Sequence, residues 1–277
     1  MMINRTYQYT VNYVVAELKQ LLKEDIPQEY KDWARDGITY VERNPDADVL
    51  DFPNNIFAYM RKDPMPPMVR ELVEGIYLQG ISKGSGIAAC NLGALYYTGQ
   101  IGEQSYQKAM DLYEIAADTG DIQAIENLGY CYYYGRNCEV DYQKAYECFA
   151  KGAFRGRIIS LYKIGDMYKN GYYAEKDPAQ AYSIYSRCID MINNDPESTK
   201  DGDADVYIRY AECYLNGIGC EPDILKALFW AQRAEYEFRV RESAGQPFAR
   251  HGIEWAVKLI AECRHILDRV VNIQQPS

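Results

Sequence analysis

"NLGYCYYYG", residues 127–135, decides how this chain is read. Three consecutive tyrosines, Tyr132 to Tyr134, run from Cys131 into Gly135. Such a run is neither the pattern of a half-buried helix nor that of an alternating strand, so its meaning has to come from recurrence. "NLGALYYTG" (91–99) and "KIGDMYKNG" (163–171) share its frame at an offset of 36 residues, which aligns Gly93, Gly129 and Gly165, Tyr96, Tyr132 and Tyr168, and Gly99, Gly135 and Gly171. A second block follows each time: "YQKAMDLYEIAA" (106–117), "YQKAYECFAKGA" (142–153) and "PAQAYSIYSRCI" (178–189), with Ala109, Ala145 and Ala181 in register.

A fourth copy, "RYAECYLNG" (209–217) with "ILKALFWAQRAE" (224–235), matches at an offset of 46, with Ala211 in place of the first glycine. The ten additional residues are expected as a loop within "INNDPESTKDGDAD" (192–205), which is polar and carries Pro, Gly and Asp. Each copy reads as two helices around a turn. Leu92, Leu95 and Tyr96 have helical spacing, and Gly99 is placed to end the helix in a left-handed conformation. Ser105, Asp141, Asp177 and Asp223 are capping candidates for the second helix. The first helices are predicted over 88–98, 124–134, 160–170 and 207–216, and the recurring small residue at Gly129 predicts a close approach of two helices. A single pair cannot bury its apolar face, so neighbours must stack.

The frame A-x-x-x-L-G-x-x-Y-x-x-G, followed by K-A-x-x-x-Y-x-x-A-A, resembles Sel1-like repeats, relatives of the tetratricopeptide repeat, over about residues 86–240. The resemblance implies an all-α, right-handed α-α solenoid and an adaptor that binds proteins. The domain reading is an N-terminal helical region over 1–65, a repeat solenoid over 66–245, and a capping helix with tail over 246–277. Residues 66–87 look like the second helix of an incomplete preceding repeat. Helices are expected over 10–24, with Val14, Leu18, Leu21 and Leu22 on one side, and over 26–37; residues 38–65 are the least readable.

In the related tetratricopeptide arrangement, first helices line the concave side. That register, carried onto the glycine frame, nominates Tyr97, Glu126, Tyr130, Tyr133, Tyr134, Tyr162, Asp166, Lys169, Asn170 and Glu212 as a protein- or peptide-binding surface. Some relatives of this architecture clamp a peptide carboxylate with Lys and Asn. Here the surrounding acids point instead to a segment carrying Arg or Lys, with carboxylates pairing its charge and tyrosine faces receiving its stem. The opposing reading is that these tyrosines pack between repeats or simply lie exposed.

The formal charge of −10, from 30 basic and 40 acidic residues, with no basic run, argues against nucleic-acid partners and anionic membranes. No secretory core or bilayer-length apolar segment is found, so a cytoplasmic chain with reduced cysteines is expected. Cys131 and Cys138 match Cys213 and Cys220 in the repeat frame, and are read as local disulfides or as small apolar filler. His251 and His265 are the only histidines, too far apart along one helix to share a metal. "SLYK" (160–163) fits the S-x-x-K pattern of penicillin-recognising enzymes, and some Sel1-like proteins have been described as β-lactamases. Ser160, however, takes the small-residue place of Ala88 and Ala124, and no S-D-N or K-T-G partner exists. The expectation is a non-enzymatic module needing neither metal nor cofactor. Its rivals are a β-lactam hydrolase and an inhibitor or immunity-type protein masking a basic partner.

Overall fold

A computed structural model describes residues 8–58, 64–195, 202–244 and 249–273. All regular structure among them is helical, in two compact units, residues 1–140 and 141–277. The first unit holds α1 (Val11–Leu21), α2 (Gln28–Arg43), α3 (Asp51–Asn54), a 3₁₀ turn (Ile56–Ala58), α4 (Pro67–Ser82), α5 (Gly86–Thr98), α6 (Tyr106–Asp118) and α7 (Ile122–Tyr134). The second holds α8 (Tyr142–Phe154), α9 (Ile158–Asn170), α10 (Pro178–Asn194), α11 (Asp203–Asn216), α12 (Ile224–Ser243) and α13 (Ala249–Ile273).

The four first helices, α5, α7, α9 and α11, end where the sequence places their ends. Gly99, Gly135, Gly171 and Gly217 follow them at φ of 77°, 65°, 75° and 67°, a region costly for residues with a Cβ. Their starts lie two to four residues earlier than predicted. Ser105, Asp141, Asp177 and Asp223 each accept a hydrogen bond from the backbone N–H three residues on, opening α6, α8, α10 and α12. Asp177→Ala is therefore expected to cost about 1 kcal/mol, seen as a lower urea midpoint; an unchanged midpoint would show the cap to be energetically silent.

A second periodic turn joins each second helix to the next copy. Gly84, Gly120 and Gly156 take φ of 85°, 85° and 79°. The turns close by the same bond, Ser85 N–H to Gly80 O at 3.0 Å, Asp121 to Ala116 at 3.2 Å and Arg157 to Gly152 at 3.0 Å. This places α4 in the frame as the second helix of a preceding hairpin.

Packing inside a hairpin follows a size rule. A Cβ added at Gly93 would stand 2.7 Å from the Tyr113 ring, and one at Gly165 would stand 2.6 Å from the Tyr185 ring. The fourth copy has Ala211 and Ala231 at these two positions, both buried, so a larger residue on one helix accompanies a smaller one on the other. A further contact recurs between the turn after a first helix and the start of an earlier second helix. In the first unit the Arg136 guanidinium lies 5.1 Å over the Tyr106 ring. In the second, Tyr172 stacks on Tyr142 at 4.3 Å and 3°, and at the next copy Ile218 and Pro178 line one depression.

Two expectations need correction. The polar insertion is not wholly a loop: α10 runs on to Asn194 and α11 begins at Asp203, while residues 196–201 lie outside the described residues. α2 continues to Arg43, six residues past its expected end, because Gly37 lets Leu18 and Phe52 close against the helix. The unreadable stretch after it is pinned by two buried aromatic donors. Trp33 Nε1–H donates to Phe52 O at 2.9 Å, and Tyr77 O–H donates to Pro53 O at 2.8 Å.

Candidate functional site

In the first unit, the final turns of α7 bring Tyr130, Tyr133 and Tyr134 onto one side, as residues three and four apart on a helix must be. Tyr130 and Tyr134 stack at 6.1 Å and 10°, and Tyr133 meets Tyr134 edge-on at 4.8 Å. Tyr97, at the end of α5, meets Tyr106 at 5.1 Å. Arg136 joins the two groups: its guanidinium is 5.1 Å over Tyr106 and 5.9 Å over Tyr134. A hydrogen bond with Tyr97 raises the Arg136 pKa further, and burial raises that of Tyr97. Tyr134 remains 48% exposed, while Tyr97, Tyr130 and Tyr133 are half-buried. Glu126 lies inside, 1% exposed, accepting from Gln123 Nε2 at 3.3 Å.

In the second unit, the nominated residues separate into an interior group and a surface group. Asp166, on α9, is buried and accepts from Arg209 of α11 through both oxygens, Nε to Oδ1 at 2.6 Å and Nη2 to Oδ2 at 2.7 Å. Tyr185 O–H donates to the same carboxylate at 2.7 Å, and Lys163 Nζ lies 3.8 Å away. The Arg209 guanidinium covers the Tyr162 ring at 4.3 Å and approaches Trp255 at 5.6 Å. Burial alone would raise the Asp166 carboxyl pKa; the Arg209 charge and hydrogen bonds, then Lys163 and Tyr185, outweigh it and hold it below the ordinary range. The surface group is Lys169, Asn170 and Glu212. Lys169 Nζ pairs with Glu212 at 2.7 Å, and Asn170 Nδ2 donates to Asp166 O at 2.8 Å. With Lys176, Pro178, Gly217 and Ile218 they line a depression of about 380 Å³.

Carboxylates presented for a partner's cation were the expectation for Glu126 and Asp166. The fold buries both, and the chain's own Arg209 takes Asp166. The chemistry proposed for a guest, a guanidinium between a carboxylate and a tyrosine face, is realised within the chain. The sequence reading did not single out Arg209 or Arg136. Arg209 had a signal, since it occupies the frame position of Lys163 on the next first helix, where an opposite charge can reach back to Asp166.

Ser160 and Lys163 are both buried, and a Cβ on Gly152 would collide with Ser160 Oγ, so the S-x-x-K match falls at a packing position between α8 and α9. All eight cysteines are free thiols. Cys138 Sγ points at the Cys131 carbonyl at 3.7 Å, and burial pushes the Cys213 thiol up to about 12. His251 and His265 are exposed on α13. Among the described residues, no three His, Cys, Asp or Glu side chains are grouped to hold a metal, and no helix is long and apolar enough to cross a membrane.

The family model described as "Sel1 repeat" matches four stretches, residues 86–121, 122–153, 158–190 and 204–236. No curated protein sequence matches the chain significantly. Among solved structures, it is similar to a Sel1 repeat protein from Oxalobacter formigenes, with a TM-score of 0.58 and 21% identity over 88% of this chain and 96% of that one. It is also similar to c5321, a protective antigen of uropathogenic Escherichia coli strains displaying an SLR fold, with a TM-score of 0.53 and 19% identity over 91% of this chain and 54% of that one. At these identities the structural likenesses speak for the fold. Together with the four matched repeats and the helical hairpins that carry them, they lead to one assignment: the chain belongs to the Sel1-repeat family.

Proposed function

We propose that this chain is a protein-binding scaffold whose tyrosine face on α7 takes a partner segment carrying at least one Arg or Lys. Sel1 repeats generally mediate protein–protein interaction, and the fold is typically a non-catalytic scaffold. The observation that supports the finer reading is Arg136, whose guanidinium lies 5.1 Å over the Tyr106 ring and 5.9 Å over the Tyr134 ring. Tyr134 keeps nearly half of its surface available beside it. Because Glu126 and Asp166 are withdrawn into the interior, aromatic faces rather than ion pairs carry the recognition. In the second unit, Lys169, Asn170 and Glu212 offer a separate polar contact.

The test begins with affinity capture from the native cell and mass spectrometry, followed by calorimetry on the captured partner. Tyr134→Ala and Tyr133→Ala should each weaken binding about tenfold or more, as loss of an aromatic anchor does. Glu114→Ala, on the exposed side of α6, should not change it. The affinity should respond only weakly to salt. Unchanged affinity in both tyrosine variants would reject the surface, and a steep salt dependence would reject the aromatic mechanism.

A further inference from the structure

Gly75 and Gln79 stand one turn apart on α4 and share one face. In the repeat frame their places fall to Asp111 and Ile115 on α6, Glu147 and Lys151 on α8, and Ser183 and Arg187 on α10, and all six are exposed. On α4 both places are buried. Tyr9, from the segment that leads into α1, lies against them. Gln79 Oε1 accepts from the Tyr9 backbone N–H at 2.6 Å, and Gln79 Nε2 donates to the Tyr9 carbonyl oxygen at 2.9 Å. A Cβ on Gly75 would collide with the Tyr9 ring and hydroxyl, so the ring rests directly on the helix backbone.

The two halves of this seat recognise different things. In an extended residue the N–H and C=O point to the same side, and a neighbouring strand can bond to both. The Gln79 carboxamide bonds to both in the same way, and so grips a backbone whatever its sequence. The space over Gly75 selects the side chain, because it admits a ring where other residues would place a Cβ. Neither residue serves the helix itself: glycine weakens a helix interior, and a buried amide has to find hydrogen-bond partners. The exposed counterparts on α6, α8 and α10 show that stacking of hairpins does not require this face to be covered. α1 has supports of its own, since Thr10 caps it and Val14, Leu18 and Leu21 are buried. Tyr9 can therefore leave the seat with α1 in place.

We propose that this face of α4 is a second peptide site, separate from the tyrosine face of α7. It takes an extended segment through one tyrosine, and the chain's own Tyr9 keeps it filled until a partner's tyrosine segment displaces it. The occupant identifies the ligand class, because Tyr9 displays both the backbone and the side chain that the seat accepts. A tethered occupant competes at an effective concentration of roughly millimolar. A partner must therefore add contacts beyond its tyrosine, and a short peptide binds well only once Tyr9 is removed.

The probe is the capped peptide Gln-Tyr-Thr, the sequence of residues 8–10, titrated into the full chain and followed by NMR at the Gly75 amide. It should bind the Tyr9→Ala chain about tenfold or more tightly than the unsubstituted chain, in which Tyr9 competes. Adding Gln79→Ala to Tyr9→Ala should abolish that gain, and the capped peptide Gln-Ala-Thr should bind neither chain. A second measurement needs no substitution: excess Gln-Tyr-Thr should shift the Tyr9 amide signal of the unsubstituted chain and speed its hydrogen exchange. If Tyr9→Ala loses helix content, this second measurement decides alone. Absence of binding to a folded Tyr9→Ala chain, equal binding of the alanine peptide, or a Tyr9 amide that ignores excess peptide would each overturn the proposal.

Discussion

Asp166→Ala should lower the stability of the second unit by about 3–5 kcal/mol at neutral pH, the cost of leaving a charge buried without its partner. The stranded group is Arg209, nearly inaccessible and bound to Asp166 through two nitrogens. Tyr185 would lose its acceptor as well. Replacing both partners, as Asp166→Leu with Arg209→Met, removes this pair's charges together and should recover part of the loss, since a buried ion pair is worth little against apolar residues of similar volume, while the buried Lys163, 3.8 Å from Asp166, keeps its charge and loses that carboxylate. The pH dependence has a definite sign. The folded carboxyl sits below its unfolded value, so its contribution is complete above about pH 4 and is lost as pH falls through the folded pKa. Urea unfolding at neutral and acid pH, with hydrogen exchange of the α9 and α11 amides to localise the effect, decides it. A neutral-pH midpoint equal to that of the unsubstituted chain would refute the role given to this pair.

Gly93→Val should cost the first unit roughly 1–3 kcal/mol, because added methyl groups in a packed contact force side chains and backbone apart. Even a single Cβ would stand 2.7 Å from Tyr113 Cε1 and 3.2 Å from the Ala109 carbonyl oxygen, and Tyr113 is itself 2% exposed. The fourth copy, with Ala211 and Ala231, suggests the sharper experiment. Gly93→Ala should be costly beside Tyr113 and much less so in a Tyr113→Ala background. The two changes should therefore deviate from additivity by about 0.5–3 kcal/mol, as contacting residues do. Additive effects in urea denaturation would mean that the glycine does not serve this contact.

The repeat was legible because its markers are residue types with one dominant physical use. Glycine after a helix and aspartate before one act locally, so Gly99 and Asp177 could be read without knowing what surrounds them. The turn position shared by Asn137, Tyr173 and Gly219 was not legible. All three take positive φ, at 60°, 66° and 70°, yet Tyr is a poor residue for that region and gives no signal of it. The proposed binding surface was only half legible for a related reason. The helix period placed Tyr130, Tyr133 and Tyr134 together correctly, but periodicity says which side a residue faces and not what already occupies that side. Asp166 was assigned to a ligand because its partner, Arg209, lies 43 residues away on another helix. The sequence offered no measure of which charges the fold would neutralise internally.

A chain of similar hairpins faces a hazard during folding: a segment can dock on the wrong neighbour, since every copy offers nearly the same shape. The turn-to-helix contacts discriminate between neighbours. A guanidinium over Tyr106, a flat aromatic stack on Tyr142 and a close backbone approach of Gly219 to the Pro178 carbonyl are three different chemistries at one recurring place. If the Ile218 turn docked on Tyr106, it would leave Arg136 without its aromatic seat and Tyr106 without its cation. The irregularities that blur the repeat in the sequence therefore act as addresses, lowering the energy of the correct order of hairpins relative to any shuffled one.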